Sequence, residues 1–487
     1  MDEKKAFLET SYSQVRILKF KSKTNINRKR FSMDYINCVN LKKLFTFGII
    51  FLLITSTFLI FIPKVEAQKR FSGKGSGTPW DPYVITSVKQ LQEMKYDLKA
   101  HYILGNDIDA SETRYWNNGK GFEPIGDFDN PFTGSFDGRG YKIYNLYINT
   151  TRWYVGLFGY VGYKGIIKDV GLENATILSV GWYVGGLIGV NFGTVSNSYL
   201  IGTVKGEQTV GGLIAQNDGT VSNCYSTGSV NGTSPVGGLI GLNSGSVSNC
   251  YSTASVNGEG SVGGLIGINY YGTVSNSYSR TSVNGSWNIG GLIGTNNYGK
   301  VFNCYSRGHV NGNISIGGLI GAIYIGLVFN CYSAGLVNGI NLIGGLIGSS
   351  YYGEVLNSFW DIEISGLKTS AGGTGKTTAE MKDVRTYTDV GWSKGLESPW
   401  DFVGNPYDDK GNEDIWNIDS NINDGYPYLT TIKIGELSKV NAKAKGSNEI
   451  QWLLYIIFAG IIGGMIAILF ILIRKLKDLR LQSTNTR

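Results

Sequence analysis

A string of Gly-Gly-Leu-Ile recurs seven times, at nearly constant spacing, in the middle of this chain. Successive copies lie 26, 26, 26, 27, 27 and 27 residues apart. The copies begin at Gly185, Gly211, Gly237, Gly263, Gly290, Gly317 and Gly344. A unit this short cannot bury its own apolar face, whereas identical units stacked in register bury a continuous core. The repeat therefore limits the fold to a stack of similar coils.

Each unit consists of short apolar segments separated by turns. An apolar segment and a turn are followed by Val-x-Asn-(Ser/Cys)-(Tyr/Phe), a second turn and usually a segment ending in Val-Asn-Gly. Short segments rich in β-branched and aromatic residues, bounded by Gly and Asn, are typical of strands. The pattern predicts an all-β fold, a parallel β-helix (β-solenoid) of about seven coils of 26–27 residues with short capping helices.

The change in repeat length can be located in the first turn of the unit. In the early units, the Gly that closes this turn lies eight residues after the first Gly of the motif, as at Gly193. In the later units it lies nine residues after it, at Gly272, Gly299, Gly326 and Gly353. A turn that accepts an extra residue is typical of a solvent-exposed loop. We therefore expect this turn to lie outside the registered core.

The second strand of each unit carries a regular row of Asn. Val221, Asn223 and Tyr225 alternate with the residues between them, so in a regular strand they lie on the same face. The remaining six units all have Val, Asn and Tyr or Phe at the same positions. We predict that this face points inward and that the Asn side chains form a structural ladder of hydrogen bonds along the solenoid axis. The predicted ladder consists of Asn197, Asn223, Asn249, Asn276, Asn303, Asn330 and Asn357.

The position after this Asn holds Cys in four units and Ser in three. What it requires is therefore a small side chain, and we do not expect a reactive thiol. Cys224 and Cys250 fall on neighbouring coils, as do Cys304 and Cys331. A disulfide within either pair is left open, because parallel side-chain directions strain such a bridge.

Short helices are predicted on both sides of the repeats. Ser87 and Gln90 have capping-box spacing, and so do Thr377 and Glu380. The Gly-rich residues 372–377 imitate a phosphate-binding loop, but that motif requires Gly where Ser370 stands. The sequence therefore predicts a helix start there and no nucleotide site.

Two apolar runs, residues 44–62 and 453–473, each lie beside a basic block. Residues 1–43 hold eleven Lys or Arg against four Asp or Glu, and residues 474–487 hold five against one. Basic flanks of apolar runs are typical of cytoplasmic segments, so the positive-inside rule places the intervening chain outside the cell. Nucleic-acid binding is not expected, because the middle of the chain carries no basic excess. The membrane is the predicted partner, through a single-pass anchor.

The predicted organisation has eight parts. These are a basic cytoplasmic leader (1–43), a signal peptide or signal-anchor helix (44–67), an N-terminal β cap with one short helix (68–180), seven repeats (181–358), a C-terminal cap (359–431), a linker (432–451), a C-terminal transmembrane helix (452–473) and a cytoplasmic tail (474–487). Cleavage of the leader after Ala67 is one alternative and retention as a membrane helix is the other.

Repeats such as Val236-Gly237-Gly238-Leu239-Ile240-Gly241 resemble the GLUG-motif family of bacterial and archaeal cell-surface, adhesin-like proteins. Segments outside the repeats, such as Gly425-Tyr426-Pro427-Tyr428-Leu429, also resemble the flanks of such arrays, so the resemblance covers about residues 71–429. It implies an exported, surface-exposed β-solenoid, and it implies no single activity or catalytic residue set. The chain departs from the pattern at Ala215 and at Ala322-Ile323.

The sequence offers little material for catalysis, so no catalytic residue, cofactor or metal is predicted. The chain has two His, His101 and His309, in different regions. The acidic residues of the repeats are scattered, with no two one coil apart at the same position: Glu207, Asp218, Glu259 and Glu354. An acidic stretch could offer oxygen ligands to calcium, but the Gly of the loop's sixth position is missing. The stretch consists of Asp408, Asp409, Glu413, Asp414, Asp419, Asn421, Asn423 and Asp424.

The variable turn is the feature that suggests a function, because it carries aromatic residues in register. The candidates for binding a glycan or a protein partner are Tyr270, Tyr271, Tyr298, Tyr324, Tyr351 and Tyr352. The alternative is that the rings stack on each other and stiffen the turns. We expect an extracellular, membrane-anchored solenoid acting in adhesion or surface display. A polysaccharide-active β-helix enzyme (lyase or hydrolase) and a purely structural cell-envelope spacer are the other interpretations.

Overall fold

The computed structural model describes residues 70–404 and 414–431. The predicted leader, signal or anchor segment, linker, transmembrane helix and tail lie outside the described residues, as do Asp408, Asp409 and Glu413. Within the two described stretches, no helix has the length and apolar character needed to cross a membrane.

The described chain is a parallel β-solenoid, as predicted. Each strand pairs in parallel with its own copy one coil away. Val195, for example, lies opposite Val221, which lies opposite Val247. Three long sheets run along the solenoid, with seventeen, sixteen and seven strands, and a separate antiparallel pair follows them. We call the three sheets I, II and III in that order.

The strands of sheet I are Tyr83–Ile85, His101–Leu104, Ser135–Asp137, Phe158–Val161, Ile166–Lys168, Ile188–Asn191, Thr194–Ser196, Ile214–Asn217, Thr220–Ser222, Ile240–Asn243, Ser246–Ser248, Ile266–Tyr270, Thr273–Ser275, Ile293–Phe302, Ile320–Phe329, Ile347–Ser350 and Gly353–Leu356. Those of sheet II are Ile108–Asp109, Lys142–Tyr144, Tyr147–Thr150, Gly171–Ser179, Tyr199–Lys205, Tyr225–Asn231, Tyr251–Ser252, Ser255–Asn257, Tyr278–Ser279, Ser282–Asn284, Tyr305–Ser306, His309–Asn311, Tyr332–Ser333, Val337–Asn338, Phe359–Asp361 and Thr374–Lys376.

Sheet III has one strand from each repeat: Trp182–Gly185, Gln208–Gly211, Ser234–Gly237, Gly260–Gly263, Trp287–Gly290, Ile314–Gly317 and Asn341–Gly344. The antiparallel pair is Trp416–Asn417 with Tyr428–Leu429. The α-helices are Val88–Glu93, Ile362–Ser365, Thr378–Met381 and Arg385–Thr388, and the 3₁₀ helices are Met94–Tyr96, Ser111–Gly119 and Asn423–Gly425.

The two glycines of the repeated motif are required by close backbone approach between sheets III and I. A Cβ atom on Gly237 would lie 1.8 Å from the carbonyl oxygen of Ile240 in the same bend. A Cβ atom on Gly238 would lie 2.1 Å from the carbonyl oxygen of Gly264 in the next coil. No side chain fits at either distance, which explains why this part of the unit recurs without change.

The Asn after the second strand of each unit forms a corner of the coil. In all seven units its φ is positive, for example 53° at Asn223, a conformation that Asn adopts more readily than other residues with a side chain. This conformation resets the alternation of side chains. Val221 and Cys224 are fully buried, Asn223 is exposed and Tyr225 lies on the outer face. The prediction that Val, Asn and Tyr share one inward face is therefore wrong.

The corner Asn row still forms hydrogen bonds between coils, at its N-terminal end. Asn223 donates from Nδ2 to Oδ1 of Asn197 at 3.1 Å, and Asn197 donates to Oδ1 of Asp169 at 2.8 Å. At the C-terminal end Asn357 is buried and donates to the hydroxyl of Ser398. The row thus lies along a corner of the solenoid, exposed at one end and covered at the other.

A second Asn row, not predicted, forms the buried ladder. Its members lie at the start of the variable turn in five successive units, and each is fully buried: Asn191, Asn217, Asn243, Asn269 and Asn296. Each Nδ2 of the first four donates to Oδ1 of the next Asn at 2.8 Å. The same Nδ2 also donates to a carbonyl of the turn, as from Asn243 to Gly245. The ladder ends where Ile323 replaces the next Asn.

The four cysteines of the repeats are free thiols in the core, so neither disulfide is present in the structure. Their sulfur atoms contact backbone carbonyls, as Cys224 does with Ser222 and Cys250 with Ser248, both at 3.1 Å. Burial raises the pKa of the Cys224 thiol well above its ordinary value. A thiol that stays protonated inside the core is unreactive, as the substitution by Ser in other units suggests.

The N-terminal region predicted as a separate cap continues the same sheets. Parallel pairing already joins Tyr83 to Tyr102, and Phe158 pairs with Ile188 of the first repeat. The predicted capping helix is confirmed: Ser87 caps Val88–Glu93 by accepting from the backbone of Gln90. Residues from 83 onwards are thus early coils of one solenoid.

The C-terminal region closes the last coil and then folds back along its side. The predicted capping box is confirmed, with Thr377 and Glu380 each bonding the other's backbone. Gly372 lies against Val355 of the last coil. Residues 414–431, which we call the cover, pack on the outer face of sheet II, where Trp416 contacts Tyr305 and Tyr332.

Deleting one whole repeat, residues 237–262, will leave a folded and shorter solenoid. The splice joins Val236 to Gly263, and these positions already have equivalent register in neighbouring coils. Circular dichroism should remain β-dominated, with a cooperative urea transition and a smaller m-value. Deleting half a unit, 13 residues, should abolish the transition because it moves apolar columns to the surface. Equal behaviour of the two deletions would contradict one coil per repeat.

Replacing Asn243 by Ala will destabilise the solenoid by about 3 kcal/mol, because it removes the buried hydrogen bonds that join its amide to Asn217 and to Asn269. Chemical denaturation measures this change. Asn338→Ala, at an exposed strand position, is the matched control and should change stability by less than about 0.5 kcal/mol. A similar small change at Asn243 would mean that the ladder does not stabilise the fold.

Candidate functional site

The variable turn acquires its extra residue directly before the closing Gly. In the early units this Gly lies two residues after the ladder Asn, as Gly193 does after Asn191, whereas in the later units it lies three residues after it, as Gly272 does after Asn269. In this added position Tyr271 and Tyr298 have a φ of 57°. The insertion is therefore in the turn, as predicted, and it places a tyrosine in a strained, left-handed conformation.

All six predicted tyrosines are exposed, from 43% at Tyr270 to 93% at Tyr352. We call this surface the tyrosine edge, and it consists of Tyr270, Tyr271, Tyr298, Tyr324, Tyr351 and Tyr352. Because none of these rings enters the core, the edge is available for contact with a partner.

The tyrosine edge contains two stacked pairs in two columns. The rings of Tyr271 and Tyr298 are 4.6 Å apart with planes 4° from parallel, and those of Tyr324 and Tyr351 are 5.5 Å apart at 11°. Tyr298 and Tyr352 occupy the same position in units that are two coils apart, and the coil between them has Ile325 at that position. Residues in register predict one contiguous row with one tyrosine per coil, through Tyr271, Tyr298, Tyr324 and Tyr352. The structure has two short stacks instead.

A larger aromatic surface in the early coils was missed by the sequence analysis. We call it the N-terminal aromatic patch, and it consists of Phe128, Trp153, Tyr154, Tyr160, Tyr163, Trp182, Tyr183 and Phe192. Trp153 stacks on Trp182 at 5.5 Å and 12°, and both are exposed. The string Trp-Tyr-Val-Gly, present at both Trp153 and Trp182, was the available signal. It shows that the register of the repeats extends one coil upstream.

A third aromatic column lies on the outer face of sheet II and is largely covered. It runs through Tyr199, Tyr225, Tyr251, Tyr278, Tyr305 and Tyr332, with ring spacings of 4.7–5.0 Å. Tyr199 and Tyr225 are half-buried, whereas Tyr332 is fully buried beneath the cover. Burial raises the pKa of Tyr332 well above its ordinary value, so its phenol remains neutral.

Ion pairing and hydrogen bonds hold the cover in place. Arg307 pairs with Asp424 at 2.9 Å and donates to Oδ1 of Asn423 at 2.8 Å. Asn423 in turn donates to the Tyr332 hydroxyl at 2.9 Å. Two residues of the acidic stretch considered for calcium thus already have protein partners. Residues 70–404 and 414–431 contain no group of three or more His, Cys, Asp or Glu suited to a metal ion.

The residues weighed for catalysis lie apart. Glu207 and Glu259 occupy the same turn two coils apart, with Thr233 between them. His101 lies on sheet I, where its Nδ1 is 2.7 Å from the hydroxyl of the opposing Ser135, and His309 lies on sheet II. These positions are too scattered to define one reaction centre.

The stacked coils, the Asn corners and the Gly-Gly bend define a class, the β-solenoid with short in-register repeats. The family model described as the GLUG motif matches residues 180–205, 206–231, 232–257 and 285–311. The resemblance to GLUG-motif proteins is therefore confirmed for the repeats.

Two relatives are similar to part of the chain. One is halomucin of Haloquadratum walsbyi, 39% identical over 151 residues, which is 29% of this chain and 2% of halomucin. The other is a protein of Evansella cellulosilytica named as a Gly-rich membrane protein, 36% identical over 138 residues, which is 27% of this chain and 16% of the relative. The chain thus matches a small part of each relative's length.

Two solved structures share a distant likeness. A candidate immunoglobulin A1 protease of Bacteroides ovatus has 18% identity and a TM-score of 0.41, over 74% of this chain and 95% of the other. A second structure, described as IgA1 protease, has 14% identity and a TM-score of 0.39, over 61% of this chain and 23% of the other. Similarity at this level assigns no function.

Proposed function

We propose that this chain acts at the cell surface in adhesion or surface display, and that the tyrosine edge binds a glycan or a protein partner. The observation that carries the proposal is the exposure of six tyrosines on one turn of successive coils. Exposed aromatic residues that are grouped on one surface often mark interaction sites.

The geometry of the edge suits recognition by contact. Stacked pairs such as Tyr271 with Tyr298 present flat apolar rings and hydroxyl groups, and Tyr loses little conformational entropy on binding. The N-terminal aromatic patch offers similar chemistry in the early coils, with Trp153 and Trp182 exposed. A long partner, such as a polysaccharide chain, could contact both surfaces.

A membrane-anchored location is part of the proposal. Its support is the pair of apolar runs with basic flanks in the sequence and a relative named as a membrane protein. Binding without catalysis is supported by the scattered positions of Glu207, Asp218 and Glu259. The polysaccharide-active enzyme and the structural spacer are the alternatives that experiment has to separate.

Replacing Tyr271, Tyr298, Tyr324 and Tyr352 together by Ser should abolish the adhesion of cells that display the full chain. The same replacement should abolish retention of the purified chain on a glycan array. The melting temperature should change by less than about 4 °C, because exposed substitutions have small effects on stability. The matched control replaces four exposed tyrosines of the early coils, Tyr96, Tyr115, Tyr141 and Tyr144, and should keep binding.

The opposite result would identify stiffening as the role of the edge. In that case the melting temperature falls and binding survives in proportion to the folded fraction. Release of shortened sugar products from the array by the unmodified chain would favour the enzyme interpretation. If cells that lack the chain altogether adhere equally well, the structural spacer is the interpretation that remains.

A further inference from the structure

A cavity of about 440 Å³ lies where the corner Asn row and the sheet II tyrosine column both end. We call it the corner cavity, and it is lined by Asp137, Arg139, Gly140, Asp169, Val170, Gly171, Asn197 and Tyr199. Its size falls within the range of ligand-binding pockets. It lies on a different corner of the coil from the tyrosine edge, because it follows the second strand of the unit and the edge precedes it.

One wall of the cavity is the last ring of a stack. Tyr199 packs one face on Tyr225 at 4.7 Å with planes 3° apart. In the preceding coil the column continues with Gly171, and a Cβ atom there would lie 2.2 Å from the Tyr199 ring. The column therefore ends at Tyr199, whose ring occupies the space that a side chain on Gly171 would need. The half-buried ring of Tyr199 lines the cavity beside polar groups, and an aromatic ring in such a setting suits contact with a sugar.

One lysine pairs with both carboxylates of the wall. Lys168 pairs with Asp137 at 2.8 Å and with Asp169 at 3.5 Å. Asp169 also accepts from Asn197, and Asp137 accepts from the backbone of Arg139 at 2.8 Å. The ion pair with Asp137 raises the pKa of Lys168, so this lysine stays charged. These ion pairs and hydrogen bonds hold the side chains of this wall in place.

Arg139 is the remaining charged residue among those that line the cavity. The side chain is exposed, and within the described part of the chain it has no ion pair or aromatic contact. Asn197 Nδ2 already donates to Asp169 at 2.8 Å, and the Tyr199 hydroxyl already donates to Glu173 at 3.0 Å. The donors left for a ligand are therefore mainly those of Arg139, whose fork matches a carboxylate or sulfate in bidentate geometry.

The geometry points to the corner cavity as a binding site for an acidic saccharide, with Arg139 on the carboxylate or sulfate and the Tyr199 ring beside the sugar. The inference shares with the proposed function only the general class of ligand. It involves none of the tyrosine-edge residues, so either can fail alone.

Calorimetry of the purified full-length chain tests the inference with three probes. These are a galacturonic acid tetramer, a neutral galactose tetramer and inorganic sulfate. The uronate should bind, and Arg139→Gln should weaken it by at least about tenfold, the usual effect of losing a charge-assisted hydrogen bond. Arg139→Lys should keep part of the affinity. Arg, Lys and Gln share the same backbone cost at the positive φ of position 139, so folding should not change.

Lys89→Gln, which removes an exposed positive charge from the N-terminal helix, is the matched control and should leave uronate affinity unchanged. The tyrosine-edge variant should also keep it. Loss of uronate binding in the edge variant with no effect of Arg139→Gln would overturn the cavity site while supporting the edge. Tighter binding of the neutral tetramer, or sulfate binding as tight as uronate binding, would equally overturn an acidic saccharide site.

Discussion

In-register pairing of identical positions in neighbouring coils is the constraint on which the structure depends. Because each strand pairs with its own copy, each side chain contacts its copies in the coils on either side, and a residue is suitable only if it stacks on itself. Asn satisfies this inside the core by passing one amide hydrogen bond to the next coil at 2.8 Å. Tyr satisfies it outside by parallel ring stacking at about the same repeat distance as the strands. The repetition of the sequence is thus a consequence of stacking.

One backbone conformation decides which column faces where. The positive φ of the corner Asn shifts the alternation of side chains, so the small residue after it, such as Cys224, enters the core and Tyr225 leaves it. Two results follow from this shift. The thiols become unreactive core residues, and the tyrosines become an outer column that the cover protects through Arg307 and Asn423.

The candidate binding surfaces arise where this regularity is interrupted. The tyrosine edge exists because an extra residue enters one turn of the later units, outside the ladder of Asn269 and Asn296. The corner cavity exists because a stacked column stops at Tyr199 and Gly171 follows it. At such an end the preceding coil supplies no ring to continue the stack. Such positions are where a solenoid can accept a ligand without loss of core packing.

The sequence by itself determined the solenoid, the number of repeat coils, the site of the insertion and the exposure expected for the tyrosines, because these depend only on period and on where the period changes. It did not determine the direction of the Asn and Tyr rows, since one left-handed residue reverses parity and leaves the pattern of residue types unaltered. Only the tertiary structure placed Asn423 against Tyr332, 91 residues away, and joined Arg139 with Tyr199 in one cavity. Such contacts join coils and a folded-back segment, and their distances depend on the path of the chain, which a one-dimensional repeat does not specify.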